Sequence, residues 1–147
     1  MVRIELMGWE EARTQAAPVR FKVFVEEQGV PREIELDDMD EPSLHALAYD
    51  GFGTVVGTGR LLPARREGEQ AVGYIGRMAV LERWRGQGVG GAILRALIEA
   101  ARARGDTQVA LSAQTHALAF YLAHGFSAEG AQYLEAGIPH QAMRLGI

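Results

Sequence analysis

The feature that constrains this chain most is a glycine-rich turn between a strand and a long helix. Residues 74–81 (YIGRMAVL) predict a strand, and residues 85–91 read RGQGVGG. Residues 88–104 carry apolar side chains at intervals of three or four positions, with charged residues between them, which predicts an amphipathic helix. The sequence therefore predicts one strand–turn–helix unit with glycine at the start of the helix.

This glycine turn is suited to hold an anion. The first backbone N–H groups of a helix have no partner within the helix, and they lie at the positive end of its dipole. Because glycine has no Cβ, the backbone can approach a phosphate closely there. We therefore predict a pyrophosphate site formed by Arg83, Arg85, Gly86, Gln87, Gly88, Val89, Gly90 and Gly91.

Other interpretations of the glycine turn compete with this one. A turn that only redirects the chain needs one or two glycines, whereas this segment has four. Gly86, Gly88 and Gly91 also satisfy the G-x-G-x-x-G dinucleotide fingerprint, but they lie past the middle of a short chain. Asp106 is the only acidic residue near the distance expected for a ribose ligand, and it follows the helix directly. A P-loop is excluded because no Gly-Lys-Ser/Thr is present.

The N-terminal half predicts further strands and helices. Residues 2–6 predict a first strand, and residues 10–27 a helix that we expect Pro18 to break or restart. The acidic segment 33–41 is typical of an exposed loop. Residues 45–49 and 54–62 then predict two strands joined by Asp50-Gly51. The charged residues 63–69 connect these strands to the strand at 74–81.

The C-terminal part completes the predicted fold. Residues 109–112 predict a buried strand, residues 117–124 a short helix closed by Gly125, and residues 141–145 a last strand. Strands that alternate with helices and end in a hairpin predict an α/β (α+β) fold, with a mixed sheet covered by helices on both faces.

Composition narrows the classes of function. A chain of 147 residues fits a single domain over residues 1–147, and its net charge of −4 provides no positive field for a nucleic-acid partner. No apolar run approaches the ~20 residues needed to cross a bilayer. The N-terminus carries Glu5 within its short apolar stretch, so we expect no secretory signal. We expect a cytoplasmic protein without a membrane partner.

The absence of cysteine limits the chemistry further. It excludes disulfides, thiolate metal sites and a cysteine nucleophile. The four histidines show no spacing typical of a metal site, so we expect no metal.

Two segments in the same order carry a family resemblance. Residues 85–90 (RGQGVG) resemble the [Q/R]-x-x-G-x-[G/A] motif of the GCN5-related N-acetyltransferases, the GNAT family, and residues 117–126 (ALAFYLAHGF) resemble their A-x-x-F-Y-x-x-x-G-F segment. Residues 23–28 and 137–140, with Met143, are similar to the small bacterial ElaA-like or YjcF-like branch. The resemblance covers nearly the whole chain. It implies a mostly antiparallel sheet whose two central strands splay apart to admit the pantetheine arm of coenzyme A.

The resemblance also implies an activity and roles for particular residues. It implies an acetyl-CoA-dependent N-acetyltransferase that acts on a primary amine of a small molecule or a peptide, and it leaves a homodimer open. Backbone groups of Met78, Ala79 and Val80 would contact pantetheine, and one of their N–H groups would bind the thioester oxyanion. Tyr121 aligns with the tyrosine that protonates the departing thiolate. Gln114 stands where many relatives carry an asparagine, so a contact to the carrier stays open.

The residue that accepts the proton of the amine is not determined by the resemblance. Without a cysteine, direct attack by a bound amine is expected, and a lysine-like amine of pKa ~10.4 must first lose a proton. The candidates are Glu26, Glu27, Glu135 and His140, of which we take Glu27 and His140 as catalytic; a surface position is the alternative for each. Coenzyme A binding without turnover and nicotinamide-dinucleotide binding remain open as other functions.

Overall fold

An eight-stranded mixed sheet forms the centre of the fold in the computed structural model, which describes residues 1–147. Its strands are β1 (Arg3–Met7), β2 (Leu44–Tyr49), β3 (Val55–Leu61), β4 (Arg65–Glu67), β5 (Gln70–Val80), β6 (Gln108–Gln114), β7 (Ser127–Glu135) and β8 (Ile138–Gly146). They pair in the order β1-β2-β3-β5-β6-β8-β7, and β4 pairs with β5. Only β5 and β6 are parallel; all other neighbours are antiparallel.

The helices lie on both faces of this sheet. They are α1 (Trp9–Arg20), which continues directly into a π-helix (Phe21–Glu27), then α2 (Arg32–Glu35), α3 (Val89–Ala103) and α4 (Leu118–Ala123). Successive residues of a strand point to opposite faces. Leu47 and Tyr49 of β2 accordingly pack in the core under α1, and Ala46 and Ala48 in the core under α3. None of the helices combines the length and the apolarity needed to cross a membrane.

Helix α3 sits close to β3 because glycine leaves room for it. A Cβ on Gly59 would lie 2.9 Å from Cγ2 of Ile93 and 3.0 Å from Cδ1 of Leu97. These two α3 side chains are fully buried and belong to the larger of the two cores. Gly59 therefore allows the long helix, and the glycine turn at its start, to approach the sheet closely.

The two central strands separate along their length. β5 and β6 are in register only from Val72 opposite Gln108 to Tyr74 opposite Ala110. Beyond this point β5 pairs only with β3, and β6 pairs only with β8. A wedge opens between them toward the end of β5 that leads to the glycine turn. The predicted fold class is confirmed, including the mixed sheet, the helices on both faces and the C-terminal hairpin of β7 and β8.

The prediction that Pro18 breaks the first helix was wrong. Helix α1 runs through Pro18, and the change to π-helix comes at Phe21. Pro18 and Thr14 both lie on the exposed side of α1. The carbonyl of Thr14, which loses its helical partner at Pro18, therefore faces solvent and leaves no unsatisfied group in the core.

The prediction of an exposed acidic loop over residues 33–41 was wrong in part, although Glu33, Asp37, Asp38 and Glu41 are exposed. The segment begins with α2, and the side chains of Glu35 and Asp40 are almost fully buried. Arginine side chains from distant parts of the chain neutralise them. Two smaller differences concern the middle of the chain: β4 lies within the predicted connection 63–69, and β5 begins at Gln70 instead of residue 74.

Candidate active site

A cavity of about 560 Å³ fills the wedge between β5 and β6. One wall is β5 from Ile75 to Val80, and the other is the end of β6, with Leu111, Ser112 and Gln114. The π-helix and α2 cover the side away from α3, and the turn between β7 and β8 lines the cavity beside the end of β6. The cavity therefore lies where the predicted site residues of β5, β6, α4 and β8 converge.

The glycine turn has backbone donors without acceptors. Gly86 and Gly88 have φ values of +76° and +84°, which L side chains rarely adopt, and a Cβ at either position would meet nothing within 4 Å. Gly88 is the N-cap of α3 and offers no side-chain cap. No turn, cap or side-chain hydrogen bond uses the N–H groups from Gly86 to Gly91. The turn is therefore a set of open donors at the positive end of a 15-residue helix.

The two later glycines face α4 and the residue after it. A Cβ on Gly90 would lie 3.4 Å from Cζ of Phe120. On Gly91 it would lie 3.0 Å from Nη1 of Arg95 and 3.2 Å from Nε2 of His124. Gly86 and Gly88 thus shape the open side of the turn, Gly91 leaves room for the side chains of Arg95 and His124, and a Cβ on Gly90 would make an ordinary contact with Phe120.

The arginine of the turn has partners within the chain. Nε of Arg85 donates to the carbonyl oxygen of Val80 at 2.8 Å, and Nη2 donates to Oε1 of Glu27 at 2.7 Å. Glu27 itself does not line the cavity. Arg83 is exposed, and its carbonyl oxygen accepts a hydrogen bond from Nε2 of Gln87. Arg85 therefore joins the end of the π-helix to the end of β5 at the cavity.

The backbone hydrogen-bonding groups of successive β5 residues face alternately β3 and the wedge. Leu81 donates its N–H to the carbonyl oxygen of Val56 on β3, and alternate residues of an antiparallel strand bond to the same neighbour. Ala79 therefore bonds to β3, and Val80 directs its N–H and carbonyl toward the wedge. Met78 lies at a break in the register of β3 and β5, and it lines the cavity.

The ring of Tyr121 is held firmly, but its hydroxyl has no partner. The ring makes edge-on contacts with Phe120 and Phe126, with centroid separations of 4.9 and 5.8 Å. The residue is 7% exposed and lines the cavity, and its hydroxyl makes no hydrogen bond to the chain. Burial raises the pKa of Tyr121 to about 12. The hydroxyl therefore keeps its proton and presents it to the cavity.

Gln114 closes the mouth of the wedge from the β6 side. Its Nε2 donates to Oε1 of Gln28, directly after the π-helix, at 2.7 Å. Gln28 was not among the predicted site residues, because only the fold brings residues so distant in sequence together. The amide oxygen of Gln114 remains available as an acceptor.

His140 lies in the cavity with one ring nitrogen fixed. Nδ1 lies 2.6 Å from the carbonyl oxygen of Ile138, which only accepts hydrogen bonds, so Nδ1 carries the proton. In the neutral ring, Nε2 then has a free lone pair, and it lies 3.6 Å from Oε2 of Glu135. Tyr133 stacks on the ring at a centroid separation of 6.1 Å. The arrangement orients an imidazole that can accept a proton next to a carboxylate.

A buried network of ion pairs covers the cavity at the end opposite the glycine turn. Nε of Arg20 donates to Oε2 of Glu35 at 3.0 Å, and Nη1 donates to Oδ1 of Asp40 at 2.6 Å. Sequence reasoning missed this network, because its partners come from separate elements. Its members are Arg20, Glu35, Asp37, Asp40, Arg60 and Arg77.

The carboxylates of this network differ in their protonation behaviour. Burial opposes the ionisation of Asp40, but the hydrogen bond and charge of Arg20 outweigh it, so the pKa of Asp40 lies below its ordinary value. For Glu35, burial prevails over the charges of Arg77 and Arg20 and raises the pKa. Glu35 lines the cavity, whereas Asp40 does not.

Two other predictions can be located in the structure. Asp106 is buried and forms an ion pair with Nε of Arg104 at 2.8 Å, beside β5 and away from the glycine turn, so it is not placed to bind a ribose. No group of three or more histidine, aspartate or glutamate side chains is arranged to hold a metal ion.

Comparison with known proteins relates this site to a family. A family model described as the acetyltransferase (GNAT) domain matches residues 10–147. The chain is 41% identical over 135 residues to a protein of Bacillus subtilis named as the uncharacterized N-acetyltransferase YjcF, covering 91% of this chain and 92% of the relative.

Solved structures give the same result. The crystal structure of an acyl-CoA N-acyltransferase from Pseudomonas aeruginosa superposes with a TM-score of 0.83 at 33% identity, covering 98% of this chain and 99% of the other. Escherichia coli ElaA superposes with a TM-score of 0.82 at 28% identity, covering 98% of this chain and 99% of the other.

The fold and these matches define an acyltransferase that uses acyl-CoA. The chain belongs to the GNAT acetyltransferase family, and the resemblance to the ElaA-like and YjcF-like branch is confirmed.

Proposed function

We propose that this chain transfers an acetyl group from acetyl-CoA directly to a primary amine of a small molecule or a peptide. The observation that carries this proposal is the unpartnered hydroxyl of Tyr121, which opens into the wedge between β5 and β6. The same cavity extends to Arg85 of the glycine turn, so one continuous space serves both the carrier and the reacting group. The proposal treats residues 1–147 as one domain.

The glycine turn would bind the pyrophosphate of the carrier. Its N–H groups from Gly86 to Gly91 are free, and the αL glycines leave the approach open. We propose that Arg85 turns from Val80 and Glu27 to the phosphates when the carrier binds. Val80 then offers its carbonyl and N–H to pantetheine, and Gln114 offers its amide oxygen.

The reaction replaces the C–S bond of the thioester with a C–N bond, and it requires two proton transfers. The neutral amine nitrogen attacks the thioester carbon, the C–N bond forms, and the C–S bond breaks. An N–H group of Met78 or Val80 would stabilise the oxyanion formed during attack. The amine gives up a proton to a base, and the leaving sulfur takes one from Tyr121.

The raised pKa of Tyr121 sets a condition on the second transfer. A full transfer from a hydroxyl of pKa about 12 to a thiolate of pKa ~8.5 in water would be uphill by about 5 kcal/mol. We propose that the hydroxyl first stabilises the departing sulfur by a hydrogen bond. The transfer completes because the burial that raises the pKa of Tyr121 also makes a thiolate beside it a stronger base.

We propose His140 as the proton acceptor. Its Nε2 has a free lone pair in the cavity, and Glu135 can stabilise the imidazolium once it forms. Glu27 is bound to Arg85 outside the cavity lining, so we assign it the role of holding Arg85 while the carrier is absent. A cytoplasmic location and a homodimer remain predictions.

The test combines carrier binding with turnover. Acetyl-CoA should raise the melting temperature clearly more than NADH does, since a ligand that binds only the folded state shifts unfolding. Small amines, polyamines, aminoglycosides and peptides should then be screened for release of free thiol from acetyl-CoA. Stabilisation without thiol release from any acceptor would favour the alternative of a non-catalytic carrier-binding protein. Stabilisation by NADH alone would contradict the carrier.

A further inference from the structure

Glu35 is a buried carboxylate with one oxygen that remains free. Its side chain is 3% exposed, and Oε2 is bound by Nε of Arg20 and Nε of Arg77, both at 3.0 Å. Oε1 accepts no hydrogen bond, and it is not among the side-chain atoms sealed off from solvent. Because Glu35 lines the cavity, we infer that this oxygen opens into it. A buried carboxylate oxygen without a donor is costly unless a ligand or water satisfies it.

Arg77 is the partner of Glu35, and it also has unused hydrogen-bonding capacity. Its Nε and Nη2 bind Glu35, Asp37 and the carbonyl oxygen of Ile34, whereas Nη1 donates to nothing in the chain. The residue lines the cavity. Its φ of +50° is unusual for a non-glycine residue, and it lies where β3 and β5 lose register. Such strained bulges redirect side chains beside active sites.

The two free groups belong to one ion pair and have opposite charges. Around them the cavity wall is apolar, with Phe24, Val30 and Ile34 on the covering segments. We propose that Glu35 and Arg77 form an acceptor subsite for an apolar α-amino acid, whose ammonium binds Oε1 of Glu35 and whose carboxylate binds Nη1 of Arg77. This inference rests on the proposed function and names the class of acceptor for it.

The chemistry of the pair explains why an amino acid fits better than a simple amine. A lone carboxylate would hold an alkylammonium in its charged form and hinder attack, whereas Arg77 beside it offsets this effect. An α-amino acid carries its ammonium and carboxylate on one carbon, so it can meet the two side chains of one ion pair together. A lysine side chain within a peptide carries no carboxylate near its amine and would leave Nη1 of Arg77 unpaired.

The decisive experiment uses the unmodified protein and three probes with the same apolar body. Leucine, leucinamide and 3-methylbutylamine are compared by thiol release from acetyl-CoA, with rates expressed per unprotonated amine. We expect kcat/KM for leucine to exceed that for each of the other two about tenfold to hundredfold, the effect of one charge-assisted contact. Equal rates, faster reaction of 3-methylbutylamine, or no reaction of leucine would overturn the inference.

A pair of variants tests the residues themselves. Glu35→Gln and Asp40→Asn each remove one buried charge from the same network, but only Glu35 lines the cavity. We expect both to lose stability, and only Glu35→Gln to lose the preference for leucine over 3-methylbutylamine. If Glu35→Gln does not fold, the comparison of the three probes on the parent protein still tests the acceptor class. Thiol release from other amines, with none from leucine, would leave the acetyltransferase proposal standing and refute this acceptor class.

Discussion

The two ends of the cavity hold their polar groups in opposite states. At the glycine turn the groups are backbone donors without acceptors, from Gly86 to Gly91. At the far end they are side-chain charges, and most are already paired within the network around Glu35. The glycine turn can therefore bind an anion, because the chain supplies no acceptor for its donors. At the far end the charges neutralise one another, and only Oε1 of Glu35 and Nη1 of Arg77 remain for a ligand.

This difference determines what each end can tolerate. A change at the glycine turn should affect ligand binding more than folding, because its donors contribute nothing to the internal hydrogen bonds. A change in the ion-pair network should affect folding first, because removal of one member leaves a buried charge without its partner. The predictions below test that division, from the largest expected effect to the smallest.

Tyr121 lies between the two ends, and its replacement should have the largest effect. Tyr121→Phe keeps the ring contacts with Phe120 and Phe126 but removes the proton. We expect kcat to fall by 10²- to 10⁴-fold, on the order of 3–5 kcal/mol of barrier, with carrier affinity nearly unchanged. Tyr49→Phe, in the core under α1, serves as control. An unchanged kcat, with chemistry shown to be rate-limiting, would reduce Tyr121 to a packing residue.

The network should show its effect in stability. Arg20→Met removes the guanidinium that binds both Glu35 and Asp40, and we expect a loss of about 3–5 kcal/mol in the free energy of unfolding. Urea denaturation measures it. Arg3→Met breaks the exposed pair with Glu5 and the contact of the guanidinium with the Tyr49 ring, and it should cost less than about 2 kcal/mol. Equal losses in the two variants would show that the buried network has no special role.

The histidine should show its effect in the pH profile. His140→Ala should lower kcat by about a hundredfold near neutral pH. The loss should be partly recovered at higher pH, where more of the amine is already neutral. Carrier affinity should stay the same. A parental rate across the pH range would place the proton acceptor elsewhere.

Much of the carrier end could be predicted from the sequence, because glycine at a helix start is a local pattern. The fold, the glycine turn and the position of Tyr121 follow from contiguous segments. The acceptor end depends on pairs between distant residues, such as Arg20 with Asp40 and Gln28 with Gln114. A single sequence does not reveal such pairs, and the acidic segment 33–41 was therefore predicted to be exposed.

The smallest effect is expected for the ion pair between Glu27 and Arg85 at the glycine turn. Glu27→Gln removes the charge that holds Arg85 at 2.7 Å, so Arg85 should be freer to bind the phosphates. We expect the affinity for coenzyme A to rise a few-fold, in keeping with a partly exposed ion pair. Glu26→Gln, next to it and paired with Lys22, measures the general effect of one lost negative charge. A weaker affinity in Glu27→Gln than in Glu26→Gln would contradict the exchange of partners by Arg85.

The most direct test of the central claim is the melting temperature of Gly88→Asp with and without acetyl-CoA. Gly88 has a φ of +84° and open space for a side chain, and Gly53, in the loop between β2 and β3 and outside the cavity lining, has a φ of +80° and equally open space. Gly53→Asp therefore adds the same strain and charge away from the carrier. We predict that acetyl-CoA stabilises the parent and Gly53→Asp but not Gly88→Asp, where the carboxylate would occupy the pyrophosphate position. Equal stabilisation of all three proteins would contradict carrier binding at the glycine turn.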